Sequence, residues 1–140
     1  MMYVEDAKLI EIKKVQDPRG SLSVVEQLSD IPFELKRIYY MYDIAEGADR
    51  GQHAMKTQSK FLIAIHGQFD VILKDGKNET KFHLNRPNQG LLIPGGLWRE
   101  MHNFSEGAVC LVLADEVFIE KDHIRDYDIF LTYREKLSKE

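Results

Sequence analysis

Apolar and polar positions alternate along most of the chain, the period expected of half-buried strands. Residues 8–15, KLIEIKKV, alternate in this way, and residues 79–85, ETKFHLN, do so again. DPRGSL (17–22) reads as a turn, because Pro18 presets φ and Gly20 permits an unusual one. LSVVEQ (22–27) follows as a second strand. Two β-rich runs are predicted in IPFELKRIYYMYDI (31–44), with Arg37, Tyr39 and Met41 on one face and Ile38 and Tyr40 on the other. KFLIAIHGQFDVILKDG (60–76) reads as a hairpin of two strands around His66 and Gly67, closed by a further turn at Lys74, Asp75 and Gly76. GLLIP, WREMHNF and AVCLVLAD supply three more strands, and the last is apolar throughout, so it is predicted to be buried on both faces. The period changes only near the end. Over 121–137, Ile124, Tyr127, Phe130, Leu131 and Arg134 recur at helical spacing, which predicts a C-terminal helix.

About nine or ten short strands with turns every eight to twelve residues predict an all-β sandwich or barrel. No linker or low-complexity stretch divides the chain, so one domain over 1–140 is expected. The formal net charge of −4 argues against a general nucleic-acid footprint. A membrane span needs about 18 consecutive apolar residues, and no segment supplies them; the start, MMYVEDAKLIEIKK, carries no apolar signal core. The cytoplasm is the expected compartment. The single cysteine, Cys110, lies in an apolar strand and is read as a small buried hydrophobe. The apolar runs exceed what one barrel of this size requires, which predicts a homodimer.

Two stretches carry the chemistry, GADRGQHAMKTQSKFLIAIHG (47–67) and GLLIPGGLWREMHN (90–103). They resemble the paired motifs of the cupin family. Gly47, His53 and Gly67 keep the frame of the first motif; Pro94, Gly96 and Asn103 keep the inner frame of the second. The resemblance implies a jelly-roll β-barrel with a short C-terminal helix. Three of the four metal-ligand positions are altered. Met55 replaces the second His of the first motif, Ser59 or Lys60 falls on its Glu, and Arg99 replaces the His of the second. A thioether suits hard divalent cations poorly, and a guanidinium cannot be deprotonated to coordinate. No metal and no cofactor are expected.

Further strings narrow the resemblance: DPRGSLSVVE, IPFELKRIYY, RGQHAMK, GLLIPGGLWREMHNFSEGAVCLVLA and DHIRDYDIF. Together they span almost the whole chain and resemble the sugar-nucleotide 3,4-ketoisomerases. The resemblance implies conversion of a dTDP-4-keto-6-deoxyhexose to its 3-keto isomer, on the way to amino deoxy sugars. It also implies N-terminal strands that pair across a dimer. Members of that family carry His-x-His where this chain has His53-Ala54-Met55, and the first His matches the catalytic base. Arg19 and Arg99 fall at two positions that line the sugar site and bear on the C4 configuration; here they mix the two pairs of residues that members use.

The chemistry fits these residue types. Moving a carbonyl from C4 to C3 requires a base that removes the C3 proton and returns it at C4, and imidazole titrates in the right range. The oxygens need donors, and Arg19, Arg99 and Tyr39 are the candidates. The diphosphate needs cations, for which Arg37, Arg50, Lys56 and Lys60 are available, with Trp98 and Glu100 beside Arg99 in the sugar site. The plainer readings are a rim histidine at 53, a solvated turn arginine at 19, a solvated strand lysine at 60 and an Arg99 stacked on Trp98. His66, His83, His102 and His123 are read as turn, strand or helix surface residues. A keto-sugar epimerase and a non-catalytic cupin that binds a nucleotide sugar are the alternatives.

Overall fold

The computed structural model describes residues 1–139. Twelve strands run in chain order as β1 (Lys8–Glu11), β2 (Lys14–Asp17), β3 (Gly20–Ser23), β4 (Arg37–Met41), β5 (Arg50–Met55), β6 (Lys60–His66), β7 (Phe69–Lys74), β8 (Glu79–Leu84), β9 (Gln89–Ile93), β10 (Trp98–His102), β11 (Val109–Ala114) and β12 (His123–Ile124), followed by the helix α1 (Tyr127–Ser138). Two five-stranded antiparallel sheets face one another, in the orders β1-β9-β6-β11-β4 and β12-β5-β10-β7-β8. This is the two-sheet jelly roll of the cupins. β2 and β3 form a separate hairpin that joins neither sheet.

The alternation in the sequence places the core between the sheets. Leu62 and Ala64 of β6, Phe69, Val71 and Leu73 of β7, Met101 of β10 and Cys110 and Val112 of β11 all point inward and are buried. The outward positions of the central strands are apolar too, because each sheet has a second cover. Phe61, Ile63 and Leu113 pack beneath Ile31 and Phe33 on one side. Ala54, Trp98 and Ile124 pack beneath Phe130 of α1 on the other. This double burial is why β6 and β11 read as continuous apolar runs.

Three expectations need correction. Residues 60–76 are not a hairpin: β6 pairs with β9 and β11, while β7 pairs with β8 and β10. The chain crosses from one sheet to the other at Gly67, whose φ of +71 makes the corner. Gln68 and Ser105 hold that crossing by two hydrogen bonds of 2.9 Å. In the N-terminal half the strand through 22–27 ends at Ser23, and only the second run of 31–44 is a strand. Ile31 and Phe33 instead plug the outer face of the first sheet as irregular chain. Finally, the helix starts at Tyr127, because Asp126 caps it by accepting from the Ile129 N–H at 3.0 Å. The preceding residues form a short 3-10 turn and then β12, which pairs with β5.

Asp122 fastens this segment. Its carboxylate is buried and accepts from the Thr57 N–H and hydroxyl and from the Gln58 N–H, at 2.8 to 3.1 Å for the shortest bond of each. The link holds β12 at the mouth of the fold. None of the described helices is long and apolar enough to cross a membrane.

Gly90 has a packing reason for being glycine. A Cβ there would stand 2.0 Å from Cζ of the fully buried Phe61. Gly90→Ala is expected to destabilise the protein by about 1–3 kcal/mol, through overpacking. Thermal unfolding measures it, and Phe61→Leu in the same chain should recover part of the loss.

Candidate active site

The inward positions change character at one end of the sandwich. Arg37 and Tyr39 of β4, Lys60 of β6, Arg99 of β10 and His53 of β5 replace the apolar residues that fill the rest of the interior. Their register brings them together. Arg99 is the direct partner of His53 across β10 and β5. Ala114 on β11 is the direct partner of both Arg37 and Lys60. The cluster lies between β4 of one sheet and the β5–β12 edge of the other. A cavity of about 360 Å³ opens there, lined by Arg37, Tyr39, His53, Lys60, Phe118 and His123.

Three hydrogen bonds connect the cluster. Arg99 Nη2 donates to the Tyr39 hydroxyl at 2.9 Å, and Lys60 Nζ donates to the same oxygen at 2.9 Å. Arg99 Nη2 also lies 3.2 Å from Nε2 of His53. A guanidinium only donates, so this His53 nitrogen accepts and the ring is neutral with its proton on Nδ1. Tyr39 already accepts twice, which leaves its own O–H free to donate into the cavity. The Arg37 guanidinium stacks between the Tyr39 and Phe118 rings, 5.1 and 5.6 Å from their centres. Lys60 and Arg99 are 2% and 4% exposed, so two cations are almost fully buried side by side. Among the described residues, no carboxylate lines the cavity.

This field sets the protonation of the cluster. Burial, then the charges of Arg99 and Lys60, push the His53 imidazole down to about 2. Burial and Arg99 lower Lys60 to about 8, against the opposing pull of Tyr39. For Tyr39, burial pushes the phenol up, but Arg99 and Lys60 outweigh it and the net shift is downward.

Not every predicted residue reaches the cavity. Trp98 and Glu100 lie on the other face of β10, since neighbours of Arg99 point away from it. Trp98 packs edge-on against Tyr127 of α1 and donates from its indole to Glu100 at 3.0 Å; Glu100 pairs in turn with Lys74 and His102. Their placement in the sugar site is therefore corrected to a role under the helix. Arg50 is exposed at the start of β5, and Lys56 is exposed in a neighbouring depression with Arg125 and Lys136. Arg19 is 91% exposed at the tip of the β2–β3 hairpin, where it pairs with Asp17 at 2.8 Å.

Two cavity residues escaped the sequence reading. Phe118 belongs to no periodic stretch. The helical spacing over 121–137 predicts His123 on a helix surface, yet it stands on β12 with its ring 5.3 Å from that of His53. The signal is its place inside the DHIRDYDIF string. Among the described residues, no group of three or more His, Cys, Asp or Glu side chains is arranged to hold a metal ion.

The fold and this imidazole–guanidinium–phenol cluster define a cupin whose interior is built for an anionic ligand. The chain belongs to the family described as FdtA: WxcM-like, C-terminal, which it matches over residues 5–135. It is 41% identical over 133 residues to the TDP-4-oxo-6-deoxy-alpha-D-glucose-3,4-oxoisomerase of Aneurinibacillus thermoaerophilus, covering 95% of this chain and 96% of that protein. A 3,4-ketoisomerase from Helicobacter canadensis superposes with a TM-score of 0.91 at 47% identity, covering 93% of this chain and 98% of that one. The sugar 3,4-ketoisomerase QdtA from Thermoanaerobacterium thermosaccharolyticum, solved as a histidine-to-asparagine variant with TDP-4-keto-6-deoxyglucose, gives 0.91 at 38% identity over 97% of both chains.

The depressed His53 has a consequence for stability. Below its unfolded-state value of 6.5 the unfolded chain binds a proton that the native imidazole refuses until about 2. Native stability therefore falls as pH falls through this window. Chemical denaturation at about pH 7 and about pH 5 should show a smaller loss for His53→Asn than for the unaltered protein, because the variant lacks this titration.

Proposed function

We propose that the protein is an isomerase, a sugar-nucleotide 3,4-ketoisomerase that converts a dTDP-4-keto-6-deoxyhexose to its 3-keto isomer. One observation carries the reading: a neutral imidazole with an accepting Nε2 sits inside a cation-lined cavity, beside a phenol free to donate. The names of the relatives and the ligand of the QdtA complex agree with it.

The mechanism follows from the three groups. His53 removes the proton from C3, and the electron pair becomes the C3=C4 bond while charge moves onto O4. Arg99 and Lys60 stabilise that oxyanion, and Tyr39 supplies its proton; one well-placed donor of this kind is worth about 2.7–4 kcal/mol of barrier. His53 then returns its proton at C4. Burial and the neighbouring cations by themselves hold His53 too acidic for this work. An anionic substrate corrects that, since nearby negative charge favours the protonated imidazole. It also draws the Arg99 donor away from Nε2 and frees the lone pair. Arg37, stacked and without a carboxylate in the cavity, takes the diphosphate bidentately. An epimerase of this fold would pair its base with a carboxylate, whereas His53 is held by Arg99. The buried free thiol of Cys110 suits a reducing compartment, and we assign the enzyme to the cytoplasm.

We further propose a homodimer in which the β2–β3 hairpin of one copy crosses to the other. The hairpin has no sheet of its own, and its Leu22 is 58% exposed. β4 is an edge strand with Ile38 and Tyr40 outward at 54% and 61% exposure. Unpaired strand edges with apolar faces are sites of strand addition. Arg37 and Tyr39 lie on that same strand, so a hairpin docked there would carry Arg19 to the cavity of the partner.

Two measurements test these readings. Incubation with dTDP-4-keto-6-deoxyglucose in deuterated water, followed by NMR, should show a 3-keto product. His53→Asn should abolish it, with dTDP binding kept within a few-fold; an unchanged substrate with the unaltered protein would overturn the assignment. For the shared hairpin, Arg19→Ala and His53→Asn chains are each expected to be inactive alone. Co-expressed, they should regain roughly a quarter of full activity, because half of randomly mixed dimers hold one intact site. No gain on mixing would show that Arg19 does not act across the dimer.

A further inference from the structure

We infer that His123 is the second imidazole of the reaction and accepts the proton that leaves the C3 hydroxyl of the sugar. The inference rests on the ketoisomerase reading and gives a role to a residue that the sequence pattern places on a surface.

The chemistry leaves one proton unassigned. His53 handles the proton on carbon, and Tyr39 supplies the one that O4 gains. The C3 hydroxyl must still lose its proton as the O3–H electron pair becomes the C3=O3 bond and the C3=C4 pair takes the proton from His53 at C4. That step needs an acceptor. Arg37 and Arg99 have no lone pair to offer, and Lys60 keeps its proton below about 8. Tyr39, once it has protonated O4, is a phenolate held by two donors, and it is the rival acceptor that full activity of His123→Phe would identify. Phe118 has no polar atom. His123 is the other group in the lining that offers a lone pair at this step.

Its geometry equips it for the task. His123 Nδ1 lies 3.0 Å from the Ile119 carbonyl. A carbonyl only accepts, so Nδ1 carries the hydrogen and Nε2 keeps the lone pair. Burial, and then the Arg125 and Lys60 charges, lower the pKa of the ring against the pull of Ile119, which keeps it neutral and accepting. His53 and His123 thus stand with ring centres 5.3 Å apart in one cavity. The backbone explains the pairing: His123 is the direct cross-strand partner of Met55 on the same face of the β5–β12 ladder. Met55 occupies the place of the second histidine in the His-x-His motif, so the imidazole missing from β5 is delivered by its neighbour. The balance closes, because the proton gained by His123 matches the one lost by Tyr39, and water at the open mouth returns it.

The test compares His123→Phe and His123→Gln with the unaltered protein. Phe keeps a ring against Phe118 and His53 without a lone pair; Gln keeps an acceptor near Nε2. NMR in deuterated water reads both 3-keto formation and deuterium entry at C3. His123→Phe should lower kcat roughly 10²–10⁴-fold, the usual contribution of a positioned base, with KM changed only a few-fold. The ratio of C3 exchange to product should rise at least about ten-fold, since carbon deprotonation survives while collapse to the 3-keto product slows. His123→Gln should fall between the two. Product formation by His123→Phe at the full rate would overturn the inference, and so would a parallel fall of exchange and product with their ratio unchanged, which marks a structural role. An inactive unaltered protein would instead overturn the ketoisomerase reading, and this one with it.

Discussion

Two cations buried against each other, with no carboxylate between them among the described residues, govern this molecule. Arg99 and Lys60 point into the sandwich, and desolvating an ion is expensive unless strong partners replace its water. Here the replacements are a phenol oxygen and an imidazole nitrogen, each used as an acceptor. The arrangement fixes the neutral form of His53, turns the Tyr39 hydroxyl outward as a donor, and leaves net positive charge facing a cavity. Among the described residues, Nε of Arg37 and Nε of Arg99 are buried without a hydrogen-bond partner, as is Nε of Arg134 under α1. Such unsatisfied donors lower stability and are tolerated where a ligand benefits from the field they produce.

The rest of the fold compensates for that expense. The far end of the interior is filled with fully buried Phe69, Val71, Leu73, Leu84 and Leu91, and both sheets gain second apolar covers on their outer faces. The polar end is held open from behind. Asp122 clamps the 57–58 corner to the β12 segment, while Arg134 of α1 donates to the Gly96 carbonyl at 3.1 Å beneath β10. The strands carrying His53, Arg99 and His123 are thus fastened on their outer side, and their inner side is free to meet a ligand.

Much of this was legible in the chain. The period-two pattern of β4 put Arg37 and Tyr39 on one inward face, and the motif frame singled out His53. Lys60 was named as well, although strand lysines are usually solvated; its inward position follows from Leu62 and Ala64 two and four residues on. The same period tells against Trp98 and Glu100, which flank Arg99 and so must face away from it. Reading a site from consecutive residues of a strand mixes two faces. The apparent hairpin at 60–76 failed for a related reason. A turn signal shows that the chain reverses, and says nothing about whether the two strands then share a sheet. Helical spacing extended back through Ile124 concealed a two-residue strand, and with it the direction of His123. Arg19 stands exposed on a hairpin that joins neither sheet, so no pairing among the described residues brings it to the cavity.

The pairing of Met55 with His123 shows how such a site can be supplied from either of two strands. A sandwich interior specifies directions rather than residues. Any inward position on either of two paired strands can deliver a side chain to the same region, because direct partners on one face stand about 4.5–5.5 Å apart at Cβ. Losing an imidazole from β5 therefore need not empty the cavity of that function, provided the facing strand is pinned closely enough to supply one. β12 has only two residues, and a strand so short has little ladder of its own to hold it. Its position is set from both ends instead, by the buried Asp122 carboxylate on one side and by the Asp126 cap that starts α1 on the other. These two aspartates, neither in contact with the cavity lining through any side-chain hydrogen bond described above, fix where His123 stands. They are where the sequence encodes the second imidazole, as firmly as the residue itself.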